Sequence, residues 1–377
     1  DFFIFLVEMC YFLLIKISII IIFLSVKVNN FSQFILSFIR IFAKVLKFTK
    51  FMSLIKSISG IRGTIGGKVG DNLTPLDVVK FASAFGTWLQ NNKNKKDLTL
   101  IIGRDARISG LMVNSLVTAT LQGLGINVID LGLSTTPTVE IMVPELKADG
   151  GIILTASHNP KQWNALKLLN EKGEFISGEN GAEVLELAEN EDFNYAEVDD
   201  LGKYETRDDA FDIHIQQILD LPMVDVEAIK AKNYRIVLDA VNSTGGIAIP
   251  MLLDKLGVET VKLYCDPTGH FPHNPEPLKE HLGDICELVI KEKADVGIVV
   301  DPDVDRLALI DEKGEMFGEE YTLVAVADYL LKNKNGVAIS NLSSSRALRD
   351  VAKNHNSEYF ASAVGEVNVV NLIKKKN

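Results

Sequence analysis

Two short segments carry residue types that do chemistry. In Asp301-Pro-Asp-Val-Asp-Arg306, three carboxylates alternate directly after the apolar run Val296–Val300. Residues i, i+2 and i+4 of an extended chain share a face, and a bend at Pro302 lets Asp301, Asp303 and Asp305 converge. Carboxylates held that close raise one another's pKa unless a cation neutralises them. A hard divalent ion with oxygen ligands, Mg2+ above all, is the matching partner. An EF-hand is disfavoured, because Arg306 stands at the sixth loop position, where that motif needs glycine. The Arg306 guanidinium instead offers a fork that fits phosphate. A solvated acidic turn is the plain alternative, and the wholly apolar strand leading in argues against it.

The second segment, Thr155-Ala-Ser-His-Asn-Pro160, follows Gly150-Gly-Ile-Ile-Leu154. Pro160 is expected to end strand pairing and so to leave Ser157 and His158 on an exposed loop. Alone, a Ser-His pair is usually a hydrogen-bonding turn. Beside an acidic trio it means more. A phosphate on Ser157 carries about −1.5 to −2 charges at pH 7, enough to serve as a fourth ligand to an ion held by three aspartates.

Both segments need strands that deliver them to one edge of a sheet, since open α/β sheets bind ligands at the carboxyl ends of their strands. Leu98–Ile102 reads as a buried strand running into Gly103-Arg-Asp, and the helical period of Leu111–Leu124 closes on Gly125 as a C′ residue. Strands follow at Ile126–Leu131 and Gly151–Leu154. The order recurs from Arg235–Ala240 through the turn Asn242-Ser-Thr-Gly-Gly246, a helix to Leu256 and a strand at Val258–Tyr264. It recurs again from Gly336–Ser340 through Asn341-Leu-Ser-Ser-Ser345, a helix to Asn354 and a strand at Glu358–Ala361. Helices of this length between strands imply right-handed crossovers. The expected fold is α/β, with tandem related domains built on mixed, mostly parallel sheets. Their expected bounds are 52–205, carrying the serine loop, 206–310, carrying the acidic loop, and 311–377. This last copy stops at Lys374-Lys-Lys-Asn377, where the earlier copies proceed to a further strand, so it reads as incomplete.

Residues 1–51 stand apart. They hold no Gly or Pro, eleven of the 19 Phe and a charge of +4, leaving −15 for the remainder. Phe2–Val26 is long enough to span a bilayer, but Glu8 and Lys16 inside it each cost roughly 2.5–3.5 kcal/mol near a helix centre. Phe, Ile, Leu, Lys, Asn and Tyr have A/T-rich codons, so the extension reads first as translated upstream DNA, with Met52 as the natural start, and second as a membrane anchor. In either reading the catalytic part is cytoplasmic. The whole chain of 377 residues is 47% apolar and 24% charged, which excludes wholesale disorder. A net charge of −11 argues against a nucleic-acid partner. Cys10, Cys265 and Cys286 are too few for a disulfide framework and suit a reducing compartment.

From Met52 to the end the chain resembles the α-D-phosphohexomutase family. The resemblance rests on Ser59-Gly-Ile-Arg-Gly63, Gly103-Arg-Asp-Ala-Arg107, the Ser157 loop with Asn164 and Lys167 behind it, and Asp301 to Arg306. It implies four domains around a central cleft, of which the third is incomplete here and the fourth absent. It further implies that phospho-Ser157 gives its phosphoryl group to a sugar monophosphate, and that the resulting bisphosphate turns over and returns its other phosphate. Ser157, Asp301, Asp303 and Asp305 would hold Mg2+, with Arg62 and Arg306 supplying positive charge. Lys167 would be a general base or acid, its proton loosened near pH 7 by nearby cations. His158 and His273 would line the cleft, and Gly365 and Glu366 would belong to a sugar-binding loop. Arg104 and Arg107 read as ordinary ion-pairing residues.

A sugar 1,6-bisphosphate is the implied phosphorylating activator. The implied partner is a small sugar phosphate, with neither nucleic acid nor, for the catalytic part, a membrane. Within the family the motifs look closest to the phosphoglucosamine mutases, with phosphomannomutase/phosphoglucomutase as the rival reading. Because the family's loop for the non-transferring phosphate lies in the absent domain, little or no mutase activity is expected of the 377-residue chain. Two readings from other classes are an aspartyl-phosphate phosphatase, in which Ser157 is incidental, and an inactive module that only binds sugar phosphate.

Overall fold

The computed structural model describes residues 53–377 apart from 58, 59, 94, 335 and 377. The apolar extension 1–51 and Ser59 thus lie outside the described residues. Among the described residues, no helix is long and apolar enough to cross a membrane.

The first helix, α1 (Pro75–Asn92), starts where Thr74 and Asp77 cap each other's backbone N–H groups and Pro75 presets the first turn. Phe81, Phe85 and Leu89, four residues apart, form its buried stripe. That stripe covers one face of a seven-stranded sheet in the order β1-β2-β6-β5-β3-β4-β7. The strands are β1 (Ile55–Ser57), β2 (Gly60–Thr64), β3 (Thr99–Arg104), β4 (Asn127–Leu133), β5 (Gly150–Leu154), β6 (Trp163–Leu169) and β7 (Tyr204–Thr206). β3 runs parallel to β4 and β5, whereas β6 runs antiparallel to β5 and β2. Strand alternation sorts the side chains. Leu100, Ile102, Ile152 and Leu154 meet α1, α2 (Gly110–Gly123) and α4 (Gly178–Asn190), while Ile101 and Ile153 meet α3 (Thr136–Glu145) on the other face.

Two short helices, α5 (Ala210–Leu219) and α6 (Val226–Lys230), lead to a second sheet. It contains β8 (Arg235–Asp239), β9 (Glu259–Leu263), β10 (Val296–Val300) and β11 (Leu307–Ile310) in the order β11-β10-β8-β9. Ile236 and Ile298 pack toward α7 (Gly245–Lys255), and Val237 and Val299 toward α8 (Gly283–Glu292). β10 and β11 form an antiparallel hairpin in which Val300 faces Leu307, so the acidic segment is the hairpin's loop. A third unit pairs β12 (Val337–Asn341) in parallel with β13 (Glu358–Ser362) beside α9 (Glu319–Asn333), α10 (Ala347–Asn354) and α11 (Glu366–Lys376).

The α/β architecture with mixed sheets is as the sequence pattern implies, and Gly125 takes the expected left-handed conformation after α2. One local expectation differs. β5 ends at Leu154, well before Pro160. The turn is made by Thr155, whose hydroxyl donates to buried Asp105 and accepts the Ser157 N–H.

Candidate active site

The serine loop is built around one buried guanidinium. Arg107 is only 1% exposed. Its Nε donates to Asp105 at 2.9 Å, its Nη1 to the carbonyls of Pro160 (2.8 Å) and Trp163 (3.1 Å), and its Nη2 to those of Asn159 (2.6 Å) and Ser157. Phe271 covers it, the ring centroid 5.2 Å from Cζ. Hydrogen bonds from a charged group to carbonyls contribute more than neutral ones, so one guanidinium fixes the path of the loop at four points. The clamp holds Ser157 at φ +47°, a left-handed conformation that costs a non-glycine residue on the order of 1–3 kcal/mol.

The acidic hairpin is held as firmly. The Pro302 carbonyl accepts from Ser243 Oγ (2.7 Å) and Thr244 Oγ1 (2.9 Å), both in the turn before α7. Asp301 Oδ1 accepts the N–H groups of Asp305 and Arg306, each at 3.1 Å. Asp303 accepts the Thr136 N–H on its carbonyl (2.8 Å) and the Thr136 hydroxyl on Oδ2 (2.7 Å). Oxygens of Asp301, Asp303 and Asp305 then lie within 4.8 Å of one another, and Ser157 Oγ donates to Asp301 Oδ2 at 2.8 Å. The serine and the acidic trio, distant in sequence, meet.

Lys167 places its Nζ 2.8 Å from Asp303 Oδ2 and 3.1 Å from Asp305 Oδ2. Burial alone would lower its pKa, but the charges and hydrogen bonds of the two aspartates outweigh burial and raise it. The expectation that nearby cations loosen its proton is therefore corrected. Its neighbours are carboxylates, and Lys167 is an ammonium at neutral pH. Asp303 shows the reciprocal effect: burial would raise it, but Lys167 and the Thr136 hydroxyl hold it down at about 2. Asp301 is pushed well above the usual carboxylate range by burial and by the charges of Asp303 and Asp305. A single ammonium does not balance three carboxylates. Asp303 Oδ1 is also buried without a partner among the described residues. An all-oxygen set with one unsatisfied ligand atom fits a hard divalent cation such as Mg2+.

A cavity of about 640 Å³ opens over this cluster, lined by Ser157, His158, Lys167, Asp305, Arg306, Gly365 and Glu366 among others. His158 Nδ1 is 3.4 Å from Ser157 Oγ, and its pKa is lowered by burial and by the Arg306 charge. Arg306 donates to Glu276 at 3.2 Å. Two expected site residues are not on this wall. The Arg62 side chain is exposed on β2. His273 pairs with a buried carboxylate, its Nε2 3.0 Å from Asp239, and the neighbouring Phe271 braces Arg107. Arg107, Asp105 and Thr136 went unassigned from sequence. Gly103-Arg-Asp-Ala-Arg107, two charges of opposite sign directly after a buried strand, was the available signal for the first two.

Models of the phosphoglucomutase/phosphomannomutase alpha/beta/alpha domains I, II and III match residues 54–195, 212–314 and 318–377. The chain belongs to this phosphohexomutase family. A phosphoglucomutase/phosphomannomutase of Thermococcus kodakarensis is 35% identical over 319 residues, covering 84% of this chain and 69% of the relative. A phosphoglucosamine mutase of Nautilia profundicola is 31% identical over 323 residues, covering 84% and 71%. A solved phosphoglucomutase/phosphomannomutase family protein of Burkholderia thailandensis superposes with a TM-score of 0.71 at 23% identity, over 87% of this chain and 69% of that one, and supports the fold.

In this phosphohexomutase, Glu140 of α3 lies just behind the cluster. Burial and the nearby Glu366 charge raise its pKa to about 8, against the opposing pull of Lys167. The folded protein thus holds this proton more tightly than the unfolded chain, whose value is near 4.5. Stability is lost as pH climbs from about 4.5 toward 8. Glu140→Gln should therefore raise the urea midpoint relative to wild type at pH 8.5 and leave it unchanged at pH 5; an equal gain at both would contradict the assignment. Arg107→Lys keeps the charge but loses the planar fork. It should cost roughly 2–4 kcal/mol in urea unfolding, and a wild-type midpoint would show that the carbonyl clamp is dispensable.

Proposed function

We propose that this site transfers a phosphoryl group between Ser157 and a hexose monophosphate, the half-reaction by which the 6- and 1-phosphates of a hexosamine are interconverted through a bisphosphate. The observation that supports this is the 2.8 Å contact between Ser157 Oγ and Asp301 in a cavity shared with Lys167 and Arg306. Asp301, Asp303, Asp305 and a phosphate oxygen on Ser157 would hold Mg2+, which when bound offsets negative charge on the transferring group.

The chain's own residues divide the remaining work. As the sugar hydroxyl oxygen bonds to phosphorus, the bond from phosphorus to Ser157 Oγ breaks. The hydroxyl proton passes to the His158 imidazole, whose Nδ1 lies 3.4 Å from Oγ and hands a proton on to it, so the serine ends as a hydroxyl and the imidazole ends neutral. Return of the other phosphate reverses each transfer. Lys167, an ammonium held by Asp303 and Asp305, acts as a fixed positive charge in the same cavity as the serine. Arg306 adds a fork for phosphate oxygens. Gly365 and Glu366 on the facing wall would take sugar hydroxyls. The 35%-identical relative, named for glucose and mannose phosphates, favours a second reading in which the sugar lacks the amino group.

Incubation with glucose 1,6-bisphosphate should add one phosphoryl group by intact mass, mapped to Ser157 and absent from Ser157→Ala. A phosphate found on an aspartate, or retained in that variant, would favour the phosphatase reading. Phosphorus NMR of the phosphorylated chain with glucosamine 6-phosphate, then with mannose and glucose 6-phosphates, separates the substrates.

A further inference from the structure

We infer that Thr136 is a positioning residue for the cation site: it occupies one carboxylate oxygen of Asp303 and so leaves the other as the ligand atom. The inference rests on the cation site proposed above. Thr136 opens α3, where the first backbone N–H groups have no partner inside the helix. Its N–H finds one in the carbonyl of Asp303, at 2.8 Å. Its hydroxyl, on a residue only 2% exposed, donates to Asp303 Oδ2 at 2.7 Å. Lys167 Nζ takes the same oxygen at 2.8 Å. Two donors thus use both lone pairs of Oδ2, while Oδ1 is buried with no partner among the described residues.

The backbone contact matters as much as the hydroxyl. Val304, next in the chain, has φ +63°, a conformation in which a β-branched residue is a genuine outlier. Such strain persists only where the surroundings over-determine it. Thr136 pins the peptide just before Val304, and Ser243 and Thr244 pin the one before that. The helix start is itself braced: Thr135 Oγ1 lies 2.7 Å from Thr138 Oγ1, which lies 2.9 Å from His214 Nδ1. Thr136 falls in the stretch matched by family domain I, and Asp303 in that matched by domain II. The oxygen set is therefore organised from across two domains, by a side chain that does not itself bind the ion.

The test is Mn2+ binding, followed by the electron paramagnetic resonance of free Mn2+, with Thr136→Val and Thr136→Ser. Valine keeps the shape and the N–H but removes the hydroxyl. Its dissociation constant should rise at least about tenfold, the usual effect of losing a group that orients a metal ligand, whereas serine should stay within about twofold of wild type. Urea midpoints without metal show whether both variants fold. If the valine variant does not, Thr136→Ala gives the same comparison. Wild-type affinity in the valine or alanine variant, an equal loss in serine, or failure of both larger changes to fold would overturn the inference. Wild-type protein that binds no Mn2+, or binds it equally well as Asp303→Asn, would overturn the cation site itself.

Discussion

Three carboxylates in one hairpin loop, two of them buried, are the constraint around which the rest of the site is arranged. Like charges at this separation repel unless their environment answers them. The protein answers in part, with one ammonium, one helix start and a set of backbone N–H groups. Among the described residues, it leaves a buried oxygen of Asp303 without a partner. The Ser157 hydroxyl is brought to the same spot from the other sheet. A loop that merely needed to be acidic and soluble would not be held by Ser243, Thr244 and Thr136 at once.

Arg107 and Lys167 do different jobs. Arg107 presents a planar fork to four carbonyls and a carboxylate, so its role is shape: it fixes the path of the serine loop. Lys167 offers a compact charge to two aspartates, so its role is electrostatic. Lysine at position 107 would fail, because one ammonium cannot span four carbonyls and a carboxylate.

Much of this was legible in the sequence, for identifiable reasons. The strands at Leu98–Ile102 and Arg235–Ala240 announce themselves because burial on both faces favours nearly continuous apolar runs, here Leu100–Ile102 and Ile236–Leu238. The trio at Asp301, Asp303 and Asp305 does so because alternation after such a strand has few other uses. Family resemblance named Ser157 and Lys167. Sequence misjudged the sign of the field at Lys167, since which charges surround a side chain is set by how separate segments dock. The pairing of His273 with Asp239, 34 positions away in the chain, left no sequence signal for the same reason. Arg107 looked ordinary because a guanidinium bonded to backbone carbonyls leaves no trace in the identity of the residues it holds. Thr136 had no signal beyond its place at a helix start, and its partner lies 167 positions on.

The central claim is that Ser157 and the acidic trio share one cation. Electron–nuclear double resonance on Mn2+ bound to protein phosphorylated at Ser157 tests it most directly. A phosphorus coupling of the size seen for phosphate bound directly to the ion is expected, and it should vanish in unphosphorylated protein. Tightly bound Mn2+ with no phosphorus coupling would contradict the claim.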